Sequence, residues 1–150
     1  MKNSLEEDIK ILDSLNQKVI IFTNNLEDIE IVSKILSKNI PTGFGCITGE
    51  TSPAERTEAI KDFIFNKYNF LVGTINTLGA GVDLTQANWI LFIKEPFIFN
   101  QKKQAIYRAY RSNREEPLYV RTYINNVEFK DEILLPFLDE DTNKFIQESK

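Results

Sequence analysis

The chain contains no histidine, which excludes Ser/His/Asp and Cys/His catalysis as well as histidine-ligated zinc. Its one cysteine, Cys46, excludes an internal disulfide and suits a reducing compartment. Because Cys46 stands in the apolar run FGCIT, it is expected to be a small buried hydrophobe, not a reactive thiol. No stretch approaches the ~20 apolar residues that cross a membrane, and the N-terminus MKNSLEEDIK is amphipathic and acidic, unlike a signal segment. A soluble, intracellular chain with no membrane contact is therefore expected. Neither GxGxxG nor GxxxxGK[ST] occurs. A strong charge of one sign is also lacking: 18 basic and 22 acidic residues leave −4, so bulk charge does not announce nucleic acid.

What is present fits one domain with one core, since 150 residues that are 42% hydrophobic can bury most of their unfolded surface. Charge is unevenly distributed. Between Gln101 and Arg121 six basic residues (Lys102, Lys103, Arg108, Arg111, Arg114, Arg121) face two acids, a local +4 that leaves −8 for the remainder. An anionic partner is expected to dock there.

Apolar spacing predicts helices over 5–16, 26–38, 53–66 and 101–112, with Ser4/Glu7 and Ser52/Glu55 at capping-box spacing and Pro53 at a first helical position. Short apolar runs predict strands over 18–23, 44–48, 70–74, 88–93 and 117–124. Glu128 to Leu138 reads as a terminal helix, followed by a polar tail over 139–150. Strands alternating with helices over short connections imply an α/β fold of three layers, α/β/α, around a mainly parallel sheet of about five or six strands. In such sheets ligands bind at the carboxyl ends of the strands. Thr23 to Asn25, Thr48 to Ser52, Thr74 to Thr85 and the approach to Gln104 should line that edge.

Three constellations there carry possible chemistry. TLGAGVDLT brings Gly79 and Gly81, which allow close backbone approach, and the carboxylate of Asp83. Thr48 to Ser52 offers hydroxyls and a helix N-terminus, a form of phosphate site. Gln104, Arg108 and Arg111 stand at i, i+4 and i+7, one helix face bearing an amide and two guanidinium groups, backed by Ala105, Ile106 and Ala109. The alternative for this last set is a solvated basic face worth ~0–1 kcal/mol per ion pair. ILLPFLDED imitates a strand ending in a magnesium-binding acidic pair, but Pro136 would interrupt a central strand, and no metal site is expected at Asp139 and Glu140.

Taken in order, these motifs resemble the second, C-terminal RecA-like lobe of superfamily 2 helicases, and within it the Swi/Snf-type ATP-dependent DNA translocases. KVIIFT looks like the family's fourth motif. TGETSPAERTEAIKDF is similar to its block of Gly, Ser/Thr pair, Arg and Ile-x-x-Phe, matched by Gly49, Thr51, Ser52, Arg56, Ile60 and Phe63. GTINTLGAGVDLTQANWILF resembles the fifth motif, and QAIYRAYR followed by PLYVRTYI the sixth with its strand. The resemblance spans roughly 15–135, with residues 1–138 as the lobe.

The resemblance implies that Arg108 and Arg111 are arginine fingers supported by Gln104, that Gly79, Gly81 and Asp83 close the nucleotide cleft, and that Thr23, Asn24, Gly49, Thr51 and Thr74 follow a DNA backbone without reading sequence. It implies ATP and magnesium only in a complete two-lobe protein, an N-terminal ATPase lobe as partner, and double-stranded DNA as track. The sequence also departs from the family: Tyr107 and Tyr110 replace an acid and a histidine, Ser112, Asn113 and Arg114 replace Ile-Gly-Gln, and FIFNQ replaces a Trp-Asn-Pro segment. With no Walker A loop or DExH box in these residues, the chain alone is expected to be inactive. A degenerate lobe retained for weak nucleic-acid binding or protein docking is the rival reading, and an RNA helicase lobe a third.

Overall fold

The computed structural model describes residues 4–78, 84–110, 115–125, 127–135 and 147–149. The chain runs α1 (Ser4–Ser14), β1 (Val19–Thr23), α2 (Leu26–Asn39), β2 (Gly45–Ile47), α3 (Pro53–Ile64), β3 (Phe70–Thr74), α4 (Ile75–Leu78), β4 (Trp89–Ile93), α5 (Phe99–Ala109), β5 (Leu118–Tyr123), β6 (Phe129–Leu134) and β7 (Gln147–Ser149). The sheet order is β2-β3-β1-β4-β5-β6-β7. The first five strands in that order are parallel, and β6 and β7 are antiparallel additions at one side.

Alternation within each central strand divides the core in two. Ile20, Phe22, Leu71, Ile90 and Phe92 pack with Phe63, Leu78, Ala105 and Ala109 of the α3, α4 and α5 layer. Val19, Ile21, Phe70, Val72 and Leu91 meet Leu5, Ile9, Val32 and Leu36 of α1 and α2. With both faces covered, VIIFT is buried at every position and reads as a continuous apolar run. These contacts make the three layers. Gly73 keeps β3 close to its neighbours, because a Cβ there would lie 2.8 Å from the Ile47 carbonyl oxygen and 2.9 Å from Leu78 Cβ.

Helix starts follow the capping residues. Asn25 accepts from the Asp28 N–H at 2.9 Å, while Ser52 and Glu55 form a reciprocal capping box ahead of Pro53. Ser52→Ala should therefore lower stability by about 1 kcal/mol. A shift of the urea midpoint with unchanged slope checks this value. At the amino edge of the sheet, buried Lys18 donates to the carbonyls of Phe63 and Tyr68 and lies 4.2 Å above the Phe63 ring. Burial lowers its pKa.

Two expectations are corrected. Residues 129–134 form a strand, not part of a terminal helix. Asn125 Oδ1 accepts from the N–H groups of Val127 and Glu128 at 2.9 Å each, closing a turn that folds β6 back onto β5. Asp131 then stands directly opposite Arg121. Cys46 is exposed, because β2 is an edge strand that buries Gly45 and Ile47 and turns the residue between them outward. Desolvation raises its thiol pKa, partly offset by a hydrogen bond with Ser33, so it remains a thiol of low reactivity. The 138/139 division lies outside the described residues, and β7 belongs to the segment read as a polar tail.

Candidate functional site

Parallel register brings the strand ends together. Thr23 pairs with Thr74, Phe22 with Phe92, and Ile47 with Gly73, so the segments after β1, β2, β3 and β4 emerge at one carboxyl edge. Thr23, Asn24, Gly49, Thr51 and Thr74 all lie on or next to it. Their side chains are differently committed. Thr23 is buried and its hydroxyl donates to the Asn25 carbonyl at 3.1 Å. The Asn24 amide donates to the Glu95 carbonyl at 3.2 Å, joining the loops that follow β1 and β4. Thr74 Oγ1 donates to Thr77 Oγ1 at 2.8 Å. Thr51 Oγ1 accepts from the Thr48 N–H at 2.9 Å, which leaves its own proton to donate, and Gly49 is exposed with open space around its Cα. Arg56 donates to the Thr77 carbonyl and thereby ties α3 to α4.

Helix α5 supplies the cationic wall. Ala105, Ile106 and Ala109 are buried against the sheet, so Gln104 and Arg108, four residues apart, face outward with Lys103 and Tyr107. With Asn100 these residues line an open depression of about 310 Å³. Its groups are nearly all hydrogen-bond donors, a composition complementary to phosphate oxygens. Leu84, the residue after Asp83, donates its N–H to the Arg108 carbonyl at 3.2 Å, which places the end of the glycine-bearing segment at the C-terminal turn of α5. Gly79, Gly81, Asp83 and Arg111 themselves lie outside the described residues.

The basic stretch is narrower than its sequence suggests. Lys102 is buried and bonds both carboxylate oxygens of Glu95 at 3.0 Å, with Glu132 at 4.0 Å. Lys130 reaches Glu95 at 3.3 Å. Burial opposes ionisation of Glu95, but these two lysines outweigh it and its pKa is lowered. A lowered carboxylate pKa gives stability that is present above its ordinary value and lost as pH falls through the folded value. Glu95→Gln should accordingly flatten the decline in denaturant midpoint below about pH 4.5. Parallel declines in wild type and variant would reject this role.

Arg121 is likewise consumed inside the fold. Its guanidinium binds Asp131 in bidentate fashion at 2.7 and 2.8 Å and Asp8 at 2.9 Å, on the α1 side of the sheet. The hydrogen bonds it donates to Asp131 raise its pKa against burial. It therefore takes no part in an anion-docking face. Tyr110, which stands where the family has a histidine, is buried and donates to the Leu135 carbonyl at 2.8 Å, anchoring the end of α5. Sequence reading missed this anchor, whose only signal was a large aromatic on the apolar side of α5. It also missed Gln101, whose amide donates to Asn76 and joins α5 to α4.

The pattern of the helicase conserved C-terminal domain matches residues 3–113. The chain is 28% identical over 109 residues to the DNA repair protein rad8 of Schizosaccharomyces pombe, a match covering 72% of this chain and 10% of that protein. It is 28% identical over 115 residues to the DNA repair protein RAD5 of Yarrowia lipolytica, covering 75% and 11%. The chain thus spans only a small part of these relatives. Among solved structures, the C-terminal part of the Fun30 ATPase domain superposes with a TM-score of 0.71 at 23% identity, over 79% of this chain and 38% of that one, a likeness of fold. The Sulfolobus solfataricus SWI2/SNF2 ATPase C-terminal domain is 29% identical with a TM-score of 0.51, over 59% and 39%.

Proposed function

Because the chain belongs to the helicase conserved C-terminal domain family, in its Swi/Snf type, we propose that it is the second lobe of an ATP-dependent DNA translocase, lending Arg108 and Arg111 to ATP held by an N-terminal lobe. The observation that carries this reading is the outward face of α5, where Gln104 and Arg108 border a donor-lined depression while Ala105, Ile106 and Ala109 behind them are buried. The planar guanidinium of Arg108 suits a polyphosphate, and the Gln104 amide one turn earlier can orient it. The magnesium ligands are assigned to the other lobe, as the family resemblance implies.

Gly79, Gly81 and Asp83 are assigned to closing the nucleotide cleft in this reading, as the family resemblance implies. DNA runs along the carboxyl edge, its phosphates met by the free proton of Thr51, the open backbone at Gly49 and the amide of Asn24. Thr74 lies in the same row, its hydroxyl already donating to Thr77. Thr23, buried and already donating to Asn25, shapes the turn and does not reach phosphate through its hydroxyl. Double-stranded DNA without sequence preference is the proposed track, since every contact is of backbone type.

The purified chain by itself should show no ATP turnover, with or without DNA. A coupled phosphate-release assay tests this. DNA-stimulated turnover that Arg111→Ala abolishes would overturn the division of labour.

A further inference from the structure

Two exposed cations share the depression on α5. Lys103 and Arg108 lie five residues apart, which on a helix of 3.6 residues per turn sets them about 140° apart around its axis, so they flank the space from opposite sides with Gln104 and Tyr107 between them. Asn100 lines it one turn nearer the start of the helix. Each of these five side chains carries a hydrogen-bond donor, and none is an acid. Other cations of the same stretch are engaged inside the fold: Lys102 on Glu95, and Arg121 on Asp8 and Asp131. Lys103 and Arg108 have no ion pair among the described residues, which leaves both charges to an anion from outside. The ring between them is held in place, since Tyr107 meets Tyr110 edge-on with centroids 6.5 Å apart, and the Tyr110 hydroxyl is fastened to the Leu135 carbonyl.

We propose that this depression is a polyphosphate site in its own right, taking a linear chain of phosphates without the other lobe, with Arg108 at one end of the chain and Lys103 at the other. The proposal rests on the reading of α5 as the phosphate-facing helix and adds Lys103 as the second anchor. Linked phosphates are favoured over a single one because cations on opposite flanks are met together only by an anion charged at both ends. The volume of about 310 Å³ lies at the small end of ligand sites and suits such a chain better than a whole nucleotide.

Titrating the 150-residue chain with sodium tripolyphosphate at low ionic strength, read by backbone amide NMR, tests the site. Shifts should saturate and centre on Asn100 to Arg108. Tripolyphosphate should bind about tenfold or more tighter than orthophosphate, which engages one anchor at a time. Arg108→Ala should weaken binding about tenfold, the loss of a charge-assisted fork, and Lys103→Ala about threefold, the loss of an exposed point charge. Lys34→Ala, at an exposed position on α2, should leave affinity unchanged. Magnesium-free ATP should bind within about threefold of tripolyphosphate, because the phosphate chain alone is held. Equal binding of orthophosphate, unchanged affinity in Lys103→Ala, or a loss in Lys34→Ala as large as in Lys103→Ala would each overturn the proposal. So would a strong preference for ATP, or shifts on α5 that only a short DNA duplex elicits. The translocase reading fails separately. Normal turnover of a two-lobe protein carrying Arg108→Ala, with tripolyphosphate still saturating the isolated chain, would remove that reading and leave the site standing, and the reverse pair of results would remove the site alone.

Discussion

Replacing Arg108 by alanine in a two-lobe protein that contains this chain is expected to lower ATP turnover by about 10³-fold or more while DNA binding survives. The size follows from what a guanidinium does at a transferring phosphoryl group: it meets charge that grows in the transition state and is weaker in the ground state, so its loss falls on turnover more than on affinity. Arg111→Ala should behave alike, and Gln104→Ala, which removes only a supporting amide, should cost less. Arg108→Lys should rescue little, because an ammonium cannot make two parallel bonds to phosphate oxygens. The structural background favours a clean result, since Lys102, Gln101 and Tyr110 anchor α5 through side-chain bonds that Arg108→Ala leaves in place. Steady-state kinetics with saturating DNA check it. Near-normal turnover in Arg108→Ala would remove α5 from the active site and favour the docking-module alternative.

The second large effect concerns stability. Arg121→Ala should destabilise the chain by about 3 kcal/mol, the lower range for breaking a buried ion pair by removing one member. Arg121 and its two acids are each about a fifth exposed, so the carboxylates of Asp8 and Asp131 would be left largely desolvated and unpaired. The guanidinium also lies 3.8 Å from the Phe129 ring centroid, a contact that disappears with it. Against a total of ~5–15 kcal/mol this is a large fraction. Arg121→Lys should fall between, keeping charge but losing the bidentate grip. The Asp8 arm has a further role, because it alone fastens α1 to β5 by side-chain ion pairing among the described residues. Asp8→Ala should therefore increase proteolysis within the first helix before global unfolding. Urea denaturation gives the free energy, and a change below about 0.5 kcal/mol would reduce the cluster to surface ion pairing.

These two arginines show what the sequence could and could not convey. The parallel core was legible because strands buried on both faces read as unbroken apolar runs, as in VIIFT, and because Asn25, Ser52 and Pro53 mark helix starts through local chemistry. The same holds for α5, whose buried Ala105, Ile106 and Ala109 fix by helical spacing which face carries Gln104 and Arg108. Charge cancellation was not legible. Lys102 and Arg121 counted toward a basic patch until folding brought Glu95, Asp8 and Asp131 to them, the second of these from 113 residues away. The strand β6 was hidden for a related reason, since FKDEIL places charges on both faces and depends on Arg121 opposite Asp131 for its pairing. Cys46 defeated composition because exposure at an edge strand depends on sheet order.

The most direct measurement of the central claim is complementation in trans. The chain is mixed with the N-terminal ATPase lobe of a Swi/Snf-type translocase, and phosphate release is followed in the presence of DNA. The account predicts turnover that neither lobe shows alone and that the Arg108→Ala chain fails to restore. Turnover by this chain alone, or equal stimulation by the Arg108→Ala chain, would contradict it.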